Sequence, residues 1–351
     1  MADLAVSKIL TDLRKRILPY LLSKVDENFK VKSKVKVKNR SRDGHAVKQH
    51  DRKIHEKDRI SKTICRKGVP KMKTLAIGDL HLMAGLILPM VEAHITNQGV
   101  QHIVFTGDYT DQWMQTENLE LYIKDLQFLL NWKAQKETQG IRVTCLLGNH
   151  DIPYLIDKPV GYTLSDAEHR EQVRKLLLAL QPQISCWAGD FLISHGGYLG
   201  GTKIEEWHQE PIPDLFDFST DAEGVMEVWD KLIELIEQVG HCRGGTRPFG
   251  SPVWADAKGE FLQYPSTCYP KQVVGHRPVS EITELMSGNC QTIAIDTFSL
   301  VRTPYWPHFF PLSSTPGVVL LEDGQHTIIP IPEWSAISEE TIAQYFEMAK
   351  D

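Results

Sequence analysis

From Thr74 onward, short apolar runs ending in Gly, Asp, Asn or His alternate with amphipathic stretches of helical length, the punctuation of an α/β protein. Buried strands are expected at Thr74–Ile77, Ile103–Thr106, Val143–Leu147, Phe191–Ser194, Gln272–Val274 and Thr292–Ile295. Helices are expected between them at Leu86–Thr96, Glu117–Gln135, Ser165–Leu180 and Val225–Val239. Gly317–Glu322 and His326–Ile331 read as a closing pair of strands. Ser338–Ala349 reads as a terminal helix, opened by a Ser cap and acidic residues. The expected division is a main domain over 72–335 and a helix packed on it over 336–351.

Ahead of Thr74 the pattern changes. Residues 5–25 place Leu, Ile and Val at helical spacing, consistent with one amphipathic helix. From Lys30 to Lys73 large apolar side chains are too few to offset chain entropy, so disorder, or order only on a partner, is expected. Charge divides at the same place: residues 1–73 carry 22 Lys and Arg against 8 Asp and Glu, whereas the remainder carries 17 against 37. A basic extension over 1–71 could make weak nucleic-acid contacts by neutralising phosphate, though a solvated charge run is the commoner reading. Met72 directly precedes the apolar run into Asp79, so 1–71 also reads as an appended segment or one upstream of the true start.

No stretch approaches the roughly 18 apolar residues of a membrane span, and no secretory signal pattern opens the chain, so a cytoplasmic protein is expected. The six cysteines are scattered without a Cys-x-x-Cys pair and read as reduced thiols.

Four of the expected strands end in polar clusters: Gly78-Asp79-Leu80-His81, Gly107-Asp108, Gly148-Asn149-His150-Asp151 and His195-Gly196-Gly197. A fifth, Gly275-His276, follows Gln272-Val273-Val274. Carboxyl ends of strands in an α/β sheet open onto one edge, where residues distant in sequence converge. Asp79 and His81 can grip one ion, Asp108 can bridge two with its two oxygens, and Asn149, His195 and His276 can complete the second shell without added negative charge. A thiolate-free set of this kind favours divalent Mn, with Fe, Zn or Co as alternatives. Two such ions, roughly 3.5 to 4 Å apart, lower the pKa of a bridging water and clamp an in-line displacement. Glycine before four of these residues suits sharp turns beside a crowded site.

The ordered series Gly-Asp-x-His, Gly-Asp-x-x-Asp, Gly-Asn-His-Asp, His-Gly-Gly and Gly-His across residues 78–276 resembles the calcineurin-like metallophosphoesterases. It is nearest their bacterial protein-phosphatase and diadenosine-tetraphosphatase branch, through His195–Leu199, Val253–Asp256, Gly275–Val279 and Ala294–Thr297. The resemblance implies a four-layer α/β/β/α sandwich with a dimetal site at one edge. It implies direct attack by a metal-bridging hydroxide, His150 as the general acid that protonates the leaving oxygen, and Asp151 as the group orienting that imidazole. Asp111 is expected to orient a ligand or the general acid, and Asp296 to fix His276.

Two departures matter. The protein-phosphatase pattern continues Gly-Asp-x-x-Asp with Arg-Gly, whereas Asp111 is followed here by Gln112-Trp113; Arg247 or Arg277 is the candidate replacement for that phosphate clamp. No second histidine follows two residues after His276, which leaves the first ion with few protein ligands. Tyr109, Trp113 and Tyr154 stand beside the clusters as packing residues or nucleobase-stacking surfaces.

The expected activity is hydrolysis of a phosphomonoester, in a phosphoprotein or a small molecule. Cleavage of a phosphodiester or nucleotide phosphoanhydride, including dinucleoside polyphosphates, is the alternative. A nucleic-acid-binding or scaffold protein with a vestigial metal site is the alternative of a different class.

Overall fold

The computed structural model describes residues 72–348 apart from 205–206, 208–209, 216–221 and 304–305. The expected helix at 5–25, the basic stretch and the nucleic-acid contact assigned to it lie outside the described residues.

The first sheet is built on three parallel strands, β1 (Thr74–Ile77), β2 (His102–Phe105) and β3 (Arg142–Cys145), continued antiparallel from β1 by β11 (Gly317–Glu322) and β12 (Gln325–Pro330). The second sheet runs β4 (Ser185–Ala188), β5 (Phe191–Ser194), β6 (Lys271–Val274), β8 (Cys290–Ala294) and β7 (Thr283–Ser287), with β5, β6 and β8 parallel and an antiparallel strand at each edge. A separate hairpin joins β9 (Leu300–Thr303) and β10 (Trp306–Pro311).

Period-two alternation explains why the sheets stack. Ala76, Val104 and Val319 of the first sheet face Phe191, Ile193, Val273 and Ile293 of the second in one buried cluster. The opposite side chains of the same strands, Leu75, Ile77, Ile103, Phe105 and Val318, pack under helices α1 (Ala84–Asn97), α2 (Leu119–Thr138) and α4 (Ala167–Ala179). On the second sheet Val274 and Ala294 pack with Ala255, Ala257 and Phe261. Two sheets flanked by helices form the expected α/β/β/α sandwich.

The remaining helices are α3 (Ile152–Leu155), α5 (Ala222–Glu237), α6 (Pro332–Ser335) and α7 (Glu339–Met348). Helix α7 buries Ile342 and Phe346, and the Phe346 carbonyl accepts from Asn118 Nδ2 at 2.8 Å. Asp125 of α2 caps α1 from outside that helix, accepting from the Ala84 and Gly85 N–H groups at 3.1 and 3.0 Å. Its carboxylate also accepts from Tyr345 Oη of α7, so one buried acid ties three helices. No helix among the described residues is long and apolar enough to cross a membrane.

Strand extents follow the expected ones within a few residues, but β4, β7 and the β9–β10 hairpin were not among them. Strands β4 and β7 are edge strands, and every residue of β7 keeps some exposure, so no continuous apolar run marks it.

Candidate metal centre

Five of the six parallel strands each lead into one candidate ligand. Asp79 follows β1, Asp108 follows β2, Asn149 follows β3, His195 follows β5 and His276 follows β6. Asp79, Asp108, Asn149, His195 and His276 are all buried, and His81 is partly so. Asp108, His195 and His276 present ligand atoms within 4.8 Å of one another, as do Asp79, His81 and Asp108, so Asp108 belongs to both groups.

Hydrogen bonds fix the tautomers of two imidazoles. His195 Nδ1 lies 3.0 Å from the Thr106 carbonyl, and His81 Nδ1 lies 2.8 Å from that of Asp111. A carbonyl only accepts, so each Nδ1 carries a proton and Nε2 is the nitrogen left to face a metal ion. His195 Nε2 faces Asn149 Oδ1 at 3.0 Å, His276 Nδ1 at 3.2 Å and Asp108 Oδ2 at 3.3 Å. Four electron-rich atoms thus converge where one proton satisfies at most a pair of them; a divalent cation satisfies all at once. The donor set therefore fits a metal pair sharing Asp108.

Electrostatics point the same way. Burial works to lower the His195 imidazole, but the carboxylates of Asp108 and Asp79 outweigh it and lift it to about 9. His276 is held well below the usual imidazole range by burial, then by the charges of His195 and Arg243. Burial pushes Asp79 up, and burial with the Asp79 charge takes Asp296 to about 8. Carboxylates crowded to this degree call for added positive charge.

Backbone strain accompanies the cluster. His81, Asp108, Asp111 and His276 have φ of 41°, 51°, 59° and 64°, in the left-handed region that non-glycine residues avoid. Of the four glycines expected to make sharp turns, only Gly107, with φ of 114°, requires one. Gly275 serves close approach instead, since a Cβ there would strike Asp79 Oδ1 and Thr106 Oγ1.

The general-acid candidate, His150, is paired with Asp111, one of the two carboxylates expected to orient it, and not with Asp151. Its Nδ1 lies 3.1 Å from Asp111 Oδ2, and Asp111 Oδ1 accepts from Tyr122 and Tyr154 hydroxyls at 2.8 and 2.5 Å. Asp151 does not orient the imidazole. Its carboxylate instead accepts the backbone N–H of Gly148, Asp108, Tyr109 and Thr110 at 2.8–3.3 Å, and so shapes the loop that carries Asp108. Asp296, expected on His276, accepts from Ser299 Oγ at 2.8 and 3.1 Å.

Of the candidate phosphate-clamp arginines, Arg277 has its Nη1 3.4 Å from Asp256 Oδ2, and Arg243 Nη1 lies 3.8 Å from the same oxygen. Arg243 was not among the sequence candidates, yet its charge acts on His276, whereas Arg247 is an exposed residue whose backbone pairs with Val239. Both arginines lie in a glycine-rich stretch, Arg243 at the end of a single 3-10 turn, His241–Arg243, which offers no period to choose between them. Tyr109 and Tyr154 are buried packing residues, but Trp113 and Met114 are 60% and 59% exposed.

The family model for calcineurin-like phosphoesterases matches residues 72–284, and the chain belongs to that family. It is accordingly a hydrolase of phosphoester bonds, and its His and Asp groups could hold the family's two metal ions. Among solved structures, a cold-active protein-tyrosine phosphatase of a psychrophilic Shewanella species is similar at 18% identity and a TM-score of 0.49, over 75% of this chain and 81% of that one. A protein serine/threonine phosphatase from Saccharomyces cerevisiae is similar at 12% identity and a TM-score of 0.41, over 81% of this chain and 88% of that one. No curated protein matches the chain.

Proposed function

We propose that the protein hydrolyses a phosphomonoester, on a phosphoprotein or a small molecule, by direct displacement by water and without a covalent enzyme intermediate. The observation that carries this reading is the convergence on His195 Nε2 of Asn149, His276 and Asp108, with Asp108 shared by the Asp79–His81 group. Two divalent ions, which the thiolate-free donor set suggests are manganese, supply water activation and neutralise phosphoryl charge when bound.

The chain's own residues do the rest. His150 protonates the leaving oxygen; Asp111, on its Nδ1, holds the ring so that Nε2 is the edge presented to the ester. Asp151 holds the Asp108 loop through backbone N–H groups. Arg243 and Arg277, both steadied on Asp256, bind the phosphoryl oxygens that the missing arginine after Asp111 would otherwise hold.

A second reading, cleavage of a phosphodiester or nucleotide anhydride, is favoured by the exposed Trp113 and Met114 directly after Asp111-Gln112, where a larger leaving group could rest. Turnover of p-nitrophenyl phosphate and bis(p-nitrophenyl) phosphate by the manganese-loaded protein tests both. Preference for the monoester supports the first reading; preference for the diester overturns it in favour of the second.

A further inference from the structure

We propose that Tyr162 is a positioning residue for the leaving-group side of the site, locking the His150 ring from its face while Asp111 locks it by its edge. The proposal deepens the phosphoesterase reading above and rests on it. Tyr162 lies outside every cluster that the motifs mark, on the segment between α3 and α4.

The segment is built to present this ring. Val160 and Thr163 close a tight turn through a Thr163 N–H to Val160 carbonyl bond of 3.0 Å, and Thr163 Oγ1 clips both the Val160 N–H and its carbonyl, at 3.1 and 2.9 Å. Gly161 and Tyr162 occupy the tip. The next residue, Leu164, donates its N–H to the Tyr154 hydroxyl at 2.8 Å, and that hydroxyl donates to Asp111. The carboxylate that holds His150 by Nδ1 is therefore hydrogen-bonded, through one tyrosine, to the segment that carries Tyr162.

At the tip, the Tyr162 ring stands 4.3 Å from that of His150, centroid to centroid, at an interplanar angle of 42°. The His81 ring stands edge-on to His150 at 5.1 Å. His150 is thus confined by Asp111 at its edge and by two rings, while its side chain keeps 24% exposure, enough to meet a substrate. A histidine that must deliver a proton to one departing oxygen gains from such confinement, since misplacement of about 1 Å can cost roughly a hundredfold.

The test compares Tyr162→Leu and Tyr162→Phe with the wild type, all manganese-loaded, on phenyl phosphate and on p-nitrophenyl phosphate. Phenolate is the poorer leaving group and depends more on its proton. Tyr162→Leu should lower kcat on phenyl phosphate about tenfold and on p-nitrophenyl phosphate no more than about twofold, with KM little changed. Tyr162→Phe, which keeps the ring, should restore most of the lost kcat. Equal losses on the two esters, no loss on either, or a phenylalanine variant as slow as the leucine one would each overturn the proposal. A wild type that turns over neither ester would overturn the phosphoesterase reading itself, and this proposal with it.

Discussion

The candidate metal-ligand cluster and the proposed substrate side are made differently. Five of the six candidate ligands are buried residues placed at the ends of parallel strands, and hydrogen bonds to fixed carbonyls orient two of the imidazoles. The proposed substrate side is carried by turns and loops: Arg243 and Arg277 share one carboxylate, and Trp113 and Met114 stand open to solvent. A rigid cluster suits chemistry common to many phosphoesters, whereas loops can vary with the substrate at little cost to the fold.

The sharpest break of this comparison comes at Asp108, which both ligand groups share. Asp108→Asn should lower kcat on p-nitrophenyl phosphate about a thousandfold while leaving the thermal transition near that of the wild type under metal-free conditions. Activity within about tenfold of wild type would show that the two groups do not work through this residue.

The strand-borne region also carries a pH signature away from the site. His102 of β2 lies between Thr74 Oγ1 at 3.3 Å and Thr144 Oγ1 at 2.9 Å, and burial, with a contribution from Arg142, lowers it to about 4. The unfolded chain takes up a proton below about 6.5 that the folded one refuses until about 4, so stability falls as pH drops through that window and is full above it. Relative to His102→Gln, the wild type should lose about 3 kcal/mol between pH 7.5 and pH 4. Parallel denaturation curves at the two pH values measure it, and an unchanged difference would mean the imidazole is protonated in the fold.

On the substrate side, Arg243→Ala should raise KM for p-nitrophenyl phosphate about 10- to 100-fold, and Arg247→Ala should leave it unchanged. The reverse result would return the clamp to the exposed residue. The smallest effect is expected at Trp113. Trp113→Ala should raise KM about twofold to tenfold for bis(p-nitrophenyl) phosphate and leave the monoester alone. A wild-type KM for the diester would remove the support for a larger leaving group.

The same contrast governs what could be read from the chain. Asp79, Asp108, Asn149, His195 and His276 were legible because a buried apolar run ending in glycine or a polar residue marks both the strand and its terminus. Asp111 and Asp151 were harder to tell apart. Asp151 is the sequence neighbour of His150, but neighbours along a turn point away from one another, and the carboxylate that reaches the imidazole comes from another loop 39 residues earlier. Arg243 and Tyr162 lay beyond any pattern: each sits in a turn whose tertiary hydrogen bonds, not its local residues, decide where the side chain goes. Strand β7 was missed because none of its residues is buried, so no apolar run marks it.

The strand order of the first sheet has a bearing on how the molecule comes into being. Its central strand β1 pairs with β2 on one side and with β11 on the other, Leu75 opposite Leu320, while Asp125 waits for a hydroxyl 220 residues later in the chain. On a ribosome, β1 and β2 emerge long before β11, so β1 keeps an open edge and Asp125 lacks its tyrosine through most of synthesis. The ligand cluster can be assembled only late, which places the nascent chain, rather than the finished enzyme, at greatest risk of edge-to-edge aggregation.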